Sequence, residues 1–258
     1  MARVLSAAVL LPVVFGVIWF LPPIAILIMA QVAGLLAFRE YASLSLGFGS
    51  KLFRGLTAIG VVATVAAVPH DLVAPVLVGC SLVMATASLA TGSVGSAVLP
   101  NIASSLFALI YLGLPLGIVA KLQVSAGREA VVLLLATIMV SDTVQYYLGR
   151  LFGRTPLSPT ISPNKTVEGA VCGGLAGAAL LSLLAPMVLG PSSVVQRALL
   201  GVVVVTLGVV GDLFESQLKR GADVKDASGL IPGHGGILDR MDSVLFAAPG
   251  FYLCLHVG

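Results

Sequence analysis

Acidic side chains are few in this chain, and most of them lie in its second half. Eight of the eleven Asp and Glu residues follow residue 140, and these are Asp142, Glu168, Asp212, Glu215, Asp223, Asp226, Asp239 and Asp242. Asp212 and Glu215 are three residues apart, as are Asp239 and Asp242, a spacing that puts both carboxylates of a pair on one face of a helix. Carboxylate oxygens are hard ligands of the kind that Mg2+ takes, with positions left for water and phosphate oxygens. The two pairs therefore offer ligands for magnesium.

Basic side chains accompany these acids. Lys165 lies in the run 162–166, and other cations stand among the carboxylates, namely Lys219, Arg220, Lys225 and Arg240. Lys and Arg bind the non-bridging oxygens of phosphates, and the glycines of the run 229–236 let backbone amides approach a phosphate closely. We expect His234, inside that run, to contact the ligand or to hold the backbone. The pattern favours a site that handles polyphosphate, in which a carboxylate-bound metal neutralises the remaining charge.

The rest of the chain is overwhelmingly apolar. Of its 258 residues, 58% are hydrophobic and 10% are charged, against about 25% charged in an ordinary soluble domain, and the mean hydropathy is +1.09. A soluble domain must cover its outside with polar groups, so this composition excludes a soluble globule, and it also excludes disorder. The three cysteines and three histidines are scattered, which argues against a disulfide framework and a zinc cluster.

The apolar runs are long enough to be membrane-spanning helices. No charged residue occurs from Val4 to Phe38, a length that fits two crossings of about 30 Å each, with a hairpin at Pro22-Pro23. A cleaved signal peptide is disfavoured, because no small-residue cleavage site follows the first run. Further apolar stretches lie at about 55–69, 72–91, 102–120, 130–148, 167–189, 195–215 and 243–257. We predict an all-α, polytopic integral membrane helix bundle of about nine spans, with eight as the alternative because the first and last of these stretches are short.

The Lys and Arg residues predict the orientation of the bundle. With nine spans and a cytoplasmic N-terminus, eleven of the fourteen fall on one side, and the other side holds only Lys121, Arg128 and Arg197. Cytoplasmic loops carry the excess of positive charge. The two longest polar segments, 149–166 and 216–242, are therefore both expected to face the cytoplasm. The net charge of +3 then reflects topology, and we expect no nucleic-acid partner.

The charge distribution also predicts how the chain is organised. We expect a single transmembrane domain over 1–258, with a scaffold half at 1–128 and a catalytic half at 129–258. Asp142 lies well inside an apolar run, where a carboxylate costs at least ~2.5 kcal/mol, so we interpret it as functional. Small residues let helix backbones approach each other in lipid, and we assign this packing role to Gly169, Gly173, Gly174 and Gly177.

One segment carries a family resemblance. Residues 216–242, SQLKRGADVKDASGLIPGHGGILDRMD, resemble the signature of the phosphatidate cytidylyltransferases, or CDP-diacylglycerol synthases. In that family a Ser, a Lys-Arg pair, a Lys-Asp pair, a Pro-x-His-Gly-Gly turn and an Asp-Arg-x-Asp end recur at this spacing. Residues 149–169 are similar to the family's second cytoplasmic stretch. The chain departs from the family after Asp142, where Val144 and Gln145 replace the small residues that members typically have.

The resemblance implies a reaction and a set of residue roles. A lipid phosphate, phosphatidic acid, attacks the α-phosphorus of CTP and yields CDP-diacylglycerol and pyrophosphate, with Mg2+ as cofactor and a second cation left open. The implied metal ligands are Asp212, Asp239 and Asp242, with Asp142 as a further member. The residues implied to bind substrate are Ser162, Asn164, Lys165, Thr166 and Ser216. The residues implied to act in catalysis are Lys219, Arg220, Lys225, Asp226, His234 and Arg240. The resemblance also implies a bacterial inner membrane location and membrane lipid as a partner, and it leaves a homodimer open.

Other functions share parts of this chemistry. A CTP-using polyprenol or phytol kinase, or a cytidylyltransferase acting on another lipid phosphate, shares the same substrate chemistry, but a kinase releases CDP. A CDP-alcohol phosphotransferase is disfavoured because its DGxxAR core is absent. A secondary transporter would carry protons or cations on Asp142 and Asp212. That reading expects charges at the midplane of paired repeats, whereas the charges here gather toward one face.

Overall fold

The structure is a computed structural model that describes residues 2–45, 50–92, 95–96, 98–230 and 235–257. The described helices are α1 (Ala2–Phe20), α2 (Pro23–Leu44), α3 (Lys51–Ala67), α4 (Val73–Ala90), α5 (Val98–Ala108), α6 (Leu114–Ala126), α7 (Arg128–Phe152), α8 (Val167–Val188), α9 (Val194–Gly221) and α10 (Leu238–Val257). A five-residue π-helical turn, Leu109–Gly113, joins α5 to α6. Two short strands, β1 (Pro156–Ser158) and β2 (Ser162–Thr166), form an antiparallel pair.

The prediction of an all-α, polytopic membrane bundle is confirmed. Within the described residues, seven helices are long and apolar enough to cross a membrane, and they are Pro23–Leu44, Lys51–His70, Val73–Ala90, Val98–Ala126, Arg128–Phe152, Val167–Val188 and Val194–Gly221. The predicted hairpin also lies where expected, because α1 ends at Phe20 and α2 begins at Pro23. Proline suits a first helical position, where its missing N–H would have no partner. The count of about nine spans and the cytoplasmic N-terminus stay predictions.

The chain divides into two compact units. Unit one consists of Met1–Lys121 and Gly221–Arg240, and unit two consists of Leu122–Arg220 and Met241–Gly258. The division into halves at 1–128 and 129–258 stays a prediction about function.

Unit one is built around α3. A methyl group added at Gly34 of α2 would lie 3.3 Å from the side chains of Val61 and Leu116, and one at Gly113 would lie 2.9 Å from Cβ of Thr64. These short distances show that α2 and the π-helical turn both pack directly on α3. In lipid, where no hydrophobic force drives helices together, such close approach supplies the packing energy.

Unit two depends on the contact between α7 and α8. A Cβ atom at Gly173 would lie 2.5 Å from the carbonyl oxygen of Ser141, and one at Gly169 would lie 2.7 Å from that of Gln145. At Gly177 the nearest atom, a methyl of Val205 on α9, would lie at 2.8 Å. The predicted packing role is confirmed at these three glycines. Gly174 differs, because its nearest neighbour would lie at an ordinary 3.7 Å.

The hairpin of β1 and β2 was not predicted, and it orders the polar segment between α7 and α8. The backbone amides of Arg154 and Thr155 donate hydrogen bonds to the Glu168 carboxylate at 3.1 and 3.2 Å. Thr166, at the end of β2, caps α8 by accepting a hydrogen bond from the Gly169 amide at 3.2 Å. A carboxylate in the first turn and a threonine cap both stabilise a helix N-terminus. These contacts fix β2, and with it the position of Lys165.

The α7–α8 contact gives a stability prediction with a matched control. We expect Gly173→Ala to lower the free energy of unfolding by about 1–3 kcal/mol, because overpacking forces the two backbones apart. Gly174→Ala, one residue away on the same helix, should change it little. Thermal unfolding of the purified protein in detergent measures both, and equal effects at the two positions would contradict the packing role of Gly173.

Candidate functional site

The charged residues of unit two meet where β2 and α9 come together. The ammonium group of Lys165 forms an ion pair with the carboxylate of Asp212, and the two side chains are only 16% and 26% exposed. The hairpin therefore carries the ammonium group of this pair, and α9 carries the carboxylate. A second link joins the same elements, because Nε of Arg220 donates a hydrogen bond to the carbonyl oxygen of Ile161 at 3.4 Å.

A second ion pair lies one turn along α9. Nζ of Lys219 lies 2.5 Å from Oε2 of Glu215, and the Glu215 side chain is fully buried while that of Lys219 is 12% exposed. Residues four apart on a helix face each other. A buried carboxylate without a cation would be strongly destabilising, so Lys219 compensates the charge of Glu215.

Two further carboxylates approach this group. Asp142 on α7 lies within electrostatic range of both Asp212 and Lys165. Asp242 lies one turn after the start of α10, which is not among the seven spans found in the described residues. Burial, followed by the negative charges of Asp212 and Glu215, raises the pKa of Asp242 well above its usual range.

A glycine explains how α10 comes so close to α9. A Cβ atom at Gly211 would lie 2.4 Å from the carbonyl oxygen of Asp242, so any larger residue would push the helices apart. Gly211 directly precedes Asp212 in the chain. The small residue thus brings the two carboxylates together, where they repel each other.

Six side chains, which we call the charged cluster, carry excess negative charge. The charged cluster consists of Asp142, Lys165, Asp212, Glu215, Lys219 and Asp242. Four carboxylates and two ammonium groups leave a net charge of −2 when all are ionised. The carboxylate oxygens of the charged cluster are donors of the type that a divalent cation such as Mg2+ takes.

The described part of the chain holds no group of three or more His, Cys, Asp or Glu side chains placed to bind a metal by themselves. This agrees with the habits of magnesium, which usually takes one or two carboxylates and fills its other positions with water and substrate phosphate. The donor set therefore fits a metal that arrives with a phosphate substrate, and it does not fit a closed structural site.

The predicted substrate-binding residues lie on two elements of unit two. Ser162, Asn164 and Thr166 share β2 with Lys165, and Ser216 follows Glu215 on α9. Asn164 is exposed, while Ser216 is 9% exposed. The residues that the sequence predicts to bind substrate therefore lie on the two elements that the Lys165–Asp212 ion pair joins.

The remaining predicted residues belong to unit one. Lys225, Asp226 and Arg240 are exposed there, and His234 lies outside the described residues. The Asp239 side chain binds backbone amides. Its Oδ2 atom accepts hydrogen bonds from the amides of Ala227 at 3.1 Å and Gly236 at 2.7 Å. This carboxylate holds the segment that precedes α10.

The sequence reasoning missed Glu40 of α2. Its side chain is 4% exposed, and its carboxylate accepts hydrogen bonds from the hydroxyl of Ser228 at 2.6 Å and from the amides of Ile237 and Leu238 at 3.0 and 2.7 Å. One signal was available, because Glu40 is the first acidic residue after the uncharged run that ends at Phe38. Nothing in the local sequence points to partners so far along the chain.

The departure from the family pattern lies at the contact between α7 and α8. Gln145 is 8% exposed, and its Cβ atom would be 2.8 Å from a Cβ built on Gly173. The Gln145 side chain therefore lies against α8, at the position where Gly173 leaves room for it.

Apolar helices long enough to span a membrane, together with a charged cluster of carboxylates and ammonium groups, define a polytopic membrane helix bundle with a polar site. A family model described as the cytidylyltransferase family matches residues 1–257. The chain belongs to this family, and the resemblance seen in residues 216–242 is thereby confirmed.

Individual relatives agree with the family. A phosphatidate cytidylyltransferase of Aquifex aeolicus is 44% identical over 121 residues, which cover 47% of this chain and 45% of the relative. One of Helicobacter pylori is 41% identical over 133 residues, covering 50% and 48%, and one of Thermotoga maritima is 36% identical over 176 residues, covering 66% and 65%. The chain thus spans about half to two thirds of the length of the curated relatives it matches.

The Glu215–Lys219 pair gives a second prediction. We expect Lys219→Met to lower the free energy of unfolding by about 3–5 kcal/mol, because it leaves the Glu215 carboxylate buried without its cation. The double variant Lys219→Met/Glu215→Gln should recover most of that loss. Thermal unfolding in detergent measures both variants, and a double variant as unstable as the single one would contradict charge compensation.

Proposed function

We propose that this chain is a CTP:phosphatidate cytidylyltransferase, which condenses phosphatidic acid with CTP to give CDP-diacylglycerol and pyrophosphate. Membership of the cytidylyltransferase family supports the proposal, as do relatives named phosphatidate cytidylyltransferase. The observation that carries it is the charged cluster, in which two largely buried ammonium groups and four carboxylates gather from β2, α7, α9 and α10.

The proposed reaction needs no side-chain nucleophile. A phosphate monoester has a second pKa near 6, so much of the lipid phosphate is already a dianion at neutral pH. One of its oxygens forms a bond to the α-phosphorus of CTP, and the bond from that phosphorus to the bridging oxygen of pyrophosphate breaks. The difficulty is to bring two polyanions together and to stabilise the departing charge, which positioning and electrostatics achieve.

The ammonium groups of the charged cluster suit this task. Lys165 and Lys219 are each held by a carboxylate partner, so little reorganisation is needed before they meet phosphate oxygens. We assign the same task to Arg220, Lys225 and Arg240, whose cations are exposed. Ser162, Asn164, Thr166 and Ser216 then donate hydrogen bonds to the substrates.

The carboxylates are assigned to magnesium. Within unit two, Asp142, Asp212 and Asp242 would hold the ion. For Asp239 the metal-binding role stays a prediction from the sequence. A bound Mg2+ offsets the negative charge of the phosphates and of the leaving pyrophosphate. The proposal includes a bacterial inner membrane location with the site facing the cytoplasm, where CTP is present.

Product analysis tests the proposed reaction. Purified protein given CTP, phosphatidic acid and Mg2+ should release pyrophosphate and form CDP-diacylglycerol. Release of CDP with a polyprenol or phytol acceptor would instead identify a kinase, and turnover of neither kind would contradict the proposal.

Substitution of the carboxylates tests their assignment. We expect Asp142→Asn and Asp212→Asn each to lower turnover on the order of 100-fold, since each removes a negatively charged oxygen ligand of the proposed Mg2+ ion. Asp239→Asn keeps an oxygen that accepts the loop amides, so unchanged turnover in this variant would remove Asp239 from the metal set. Asp71→Asn is the control, because Asp71 is exposed and paired with Lys121 of unit one, and asparagine tolerates its φ of 59°.

Metal removal gives a separate prediction. Protein stripped with excess EDTA should show no pyrophosphate release, and added Mg2+ should restore it, because the proposed ligands leave a net negative site without the ion. Full turnover in excess EDTA would contradict magnesium dependence while leaving the reaction itself open to the product analysis.

A further inference from the structure

Ser228 and the residues that lead directly into α10 are held by a carboxylate from far earlier in the chain. Oε1 of Glu40 accepts hydrogen bonds from the Ser228 hydroxyl and the Ile237 amide, and Oε2 accepts one from the Leu238 amide. Glu40 and Leu238 are 198 residues apart in sequence. All four residues belong to unit one.

The chemistry of these contacts requires a carboxylate. Both oxygens of Glu40 are occupied by donors, and its side chain is almost completely buried. A glutamine has one acceptor oxygen, and its NH2 group would face a backbone N–H where the second oxygen now lies. The nearly isosteric amide therefore cannot replace this acid.

The carboxylate also lies at a helix N-terminus. Leu238 is the first residue of α10, so its amide is among those that the helix itself leaves without an acceptor. Negative charge at this end of a helix is favourable. Glu40 thereby fixes both the start of α10 and the segment that leads into it.

Two glycines before α10 leave room for this carboxylate and for a second one, that of Asp239. A Cβ atom at Gly236 would lie 2.4 Å from Oε2 of Glu40, and one at Gly235, whose φ is +80°, would lie 2.7 Å from Oδ2 of Asp239. Asp239 in turn accepts the Gly236 amide at 2.7 Å. The residues directly before α10 thus donate hydrogen bonds to two carboxylates, Glu40 from α2 and Asp239 from α10.

We propose that Glu40 is a positioning residue, which holds Ser228 and residues 235–238 in the arrangement that the reaction needs. The effect on turnover rests on the proposed function, because Lys225, Asp226, Asp239 and Arg240 flank these residues. The hold on the backbone does not depend on the reaction. Glu40 itself has no assigned contact with substrate.

Hydrogen exchange combined with kinetics tests this proposal. In Glu40→Gln we expect exchange at the amides of Ile237 and Leu238 to rise at least tenfold, with exchange in α3 unchanged. We expect kcat/KM to fall at least tenfold. Glu129→Gln is the control, since Glu129 is about half exposed and pairs with Arg128, and it should alter neither measurement.

Ser228→Ala keeps the test informative if Glu40→Gln fails to fold. It removes one of the three donors, so a smaller loss of kcat/KM of about threefold is expected, with faster exchange at Ile237. The double variant should lose no more than Glu40→Gln alone, because the two residues act through one contact.

Several results would overturn the positioning role. These are unchanged exchange at Ile237 and Leu238 in both variants, additive losses in the double variant, and full turnover in Glu40→Gln. If the wild-type chain makes no CDP-diacylglycerol, the proposed function fails, yet exchange at Ile237 and Leu238 still decides whether Glu40 holds the segment.

Discussion

A carboxylate or an ammonium group is stable in a water-free interior only when an opposite charge or a set of hydrogen-bond donors meets it. Both units of this chain are organised around that requirement. In unit two the ammonium groups of Lys165 and Lys219 each lie against a carboxylate of α9. In unit one Glu40 meets donors alone, two backbone amides and a hydroxyl. The first arrangement balances charge with charge, whereas the second satisfies both carboxylate oxygens with hydrogen-bond donors.

Glycines decide how closely these groups can approach. Helices in lipid gain little from hiding apolar surface, so close backbone contact must supply the packing energy. Gly173 brings α8 against α7, and Gly211 brings α10 against α9 at the point where Asp212 and Asp242 face each other. Gly173 and Gly211, two of many glycines in an apolar sequence, therefore set how closely the helices that carry the charged cluster approach each other.

Much of the fold could be predicted from the sequence, because spans of lipid-facing residues need long uncharged runs and leave a strong compositional signal. The hairpin of β1 and β2 escaped prediction, since strands of three and five residues carry too little pattern to be told from a loop. Asp212 and Lys165 were both chosen as site residues, but their pairing depends on a tertiary contact between β2 and α9. Glu40 was missed for the same reason, because its hydrogen-bond donors come much later in the sequence.

The three hydrogen bonds of Glu40 have a consequence for how the protein is made. Synthesis runs from the N-terminus, so α2 is complete long before Ile237, 197 residues later, leaves the ribosome. Until Ser228, Ile237 and Leu238 have been made, Glu40 lacks the three donors that its carboxylate meets in the folded protein. The final surroundings of this α2 side chain therefore form only after these late residues have been synthesised.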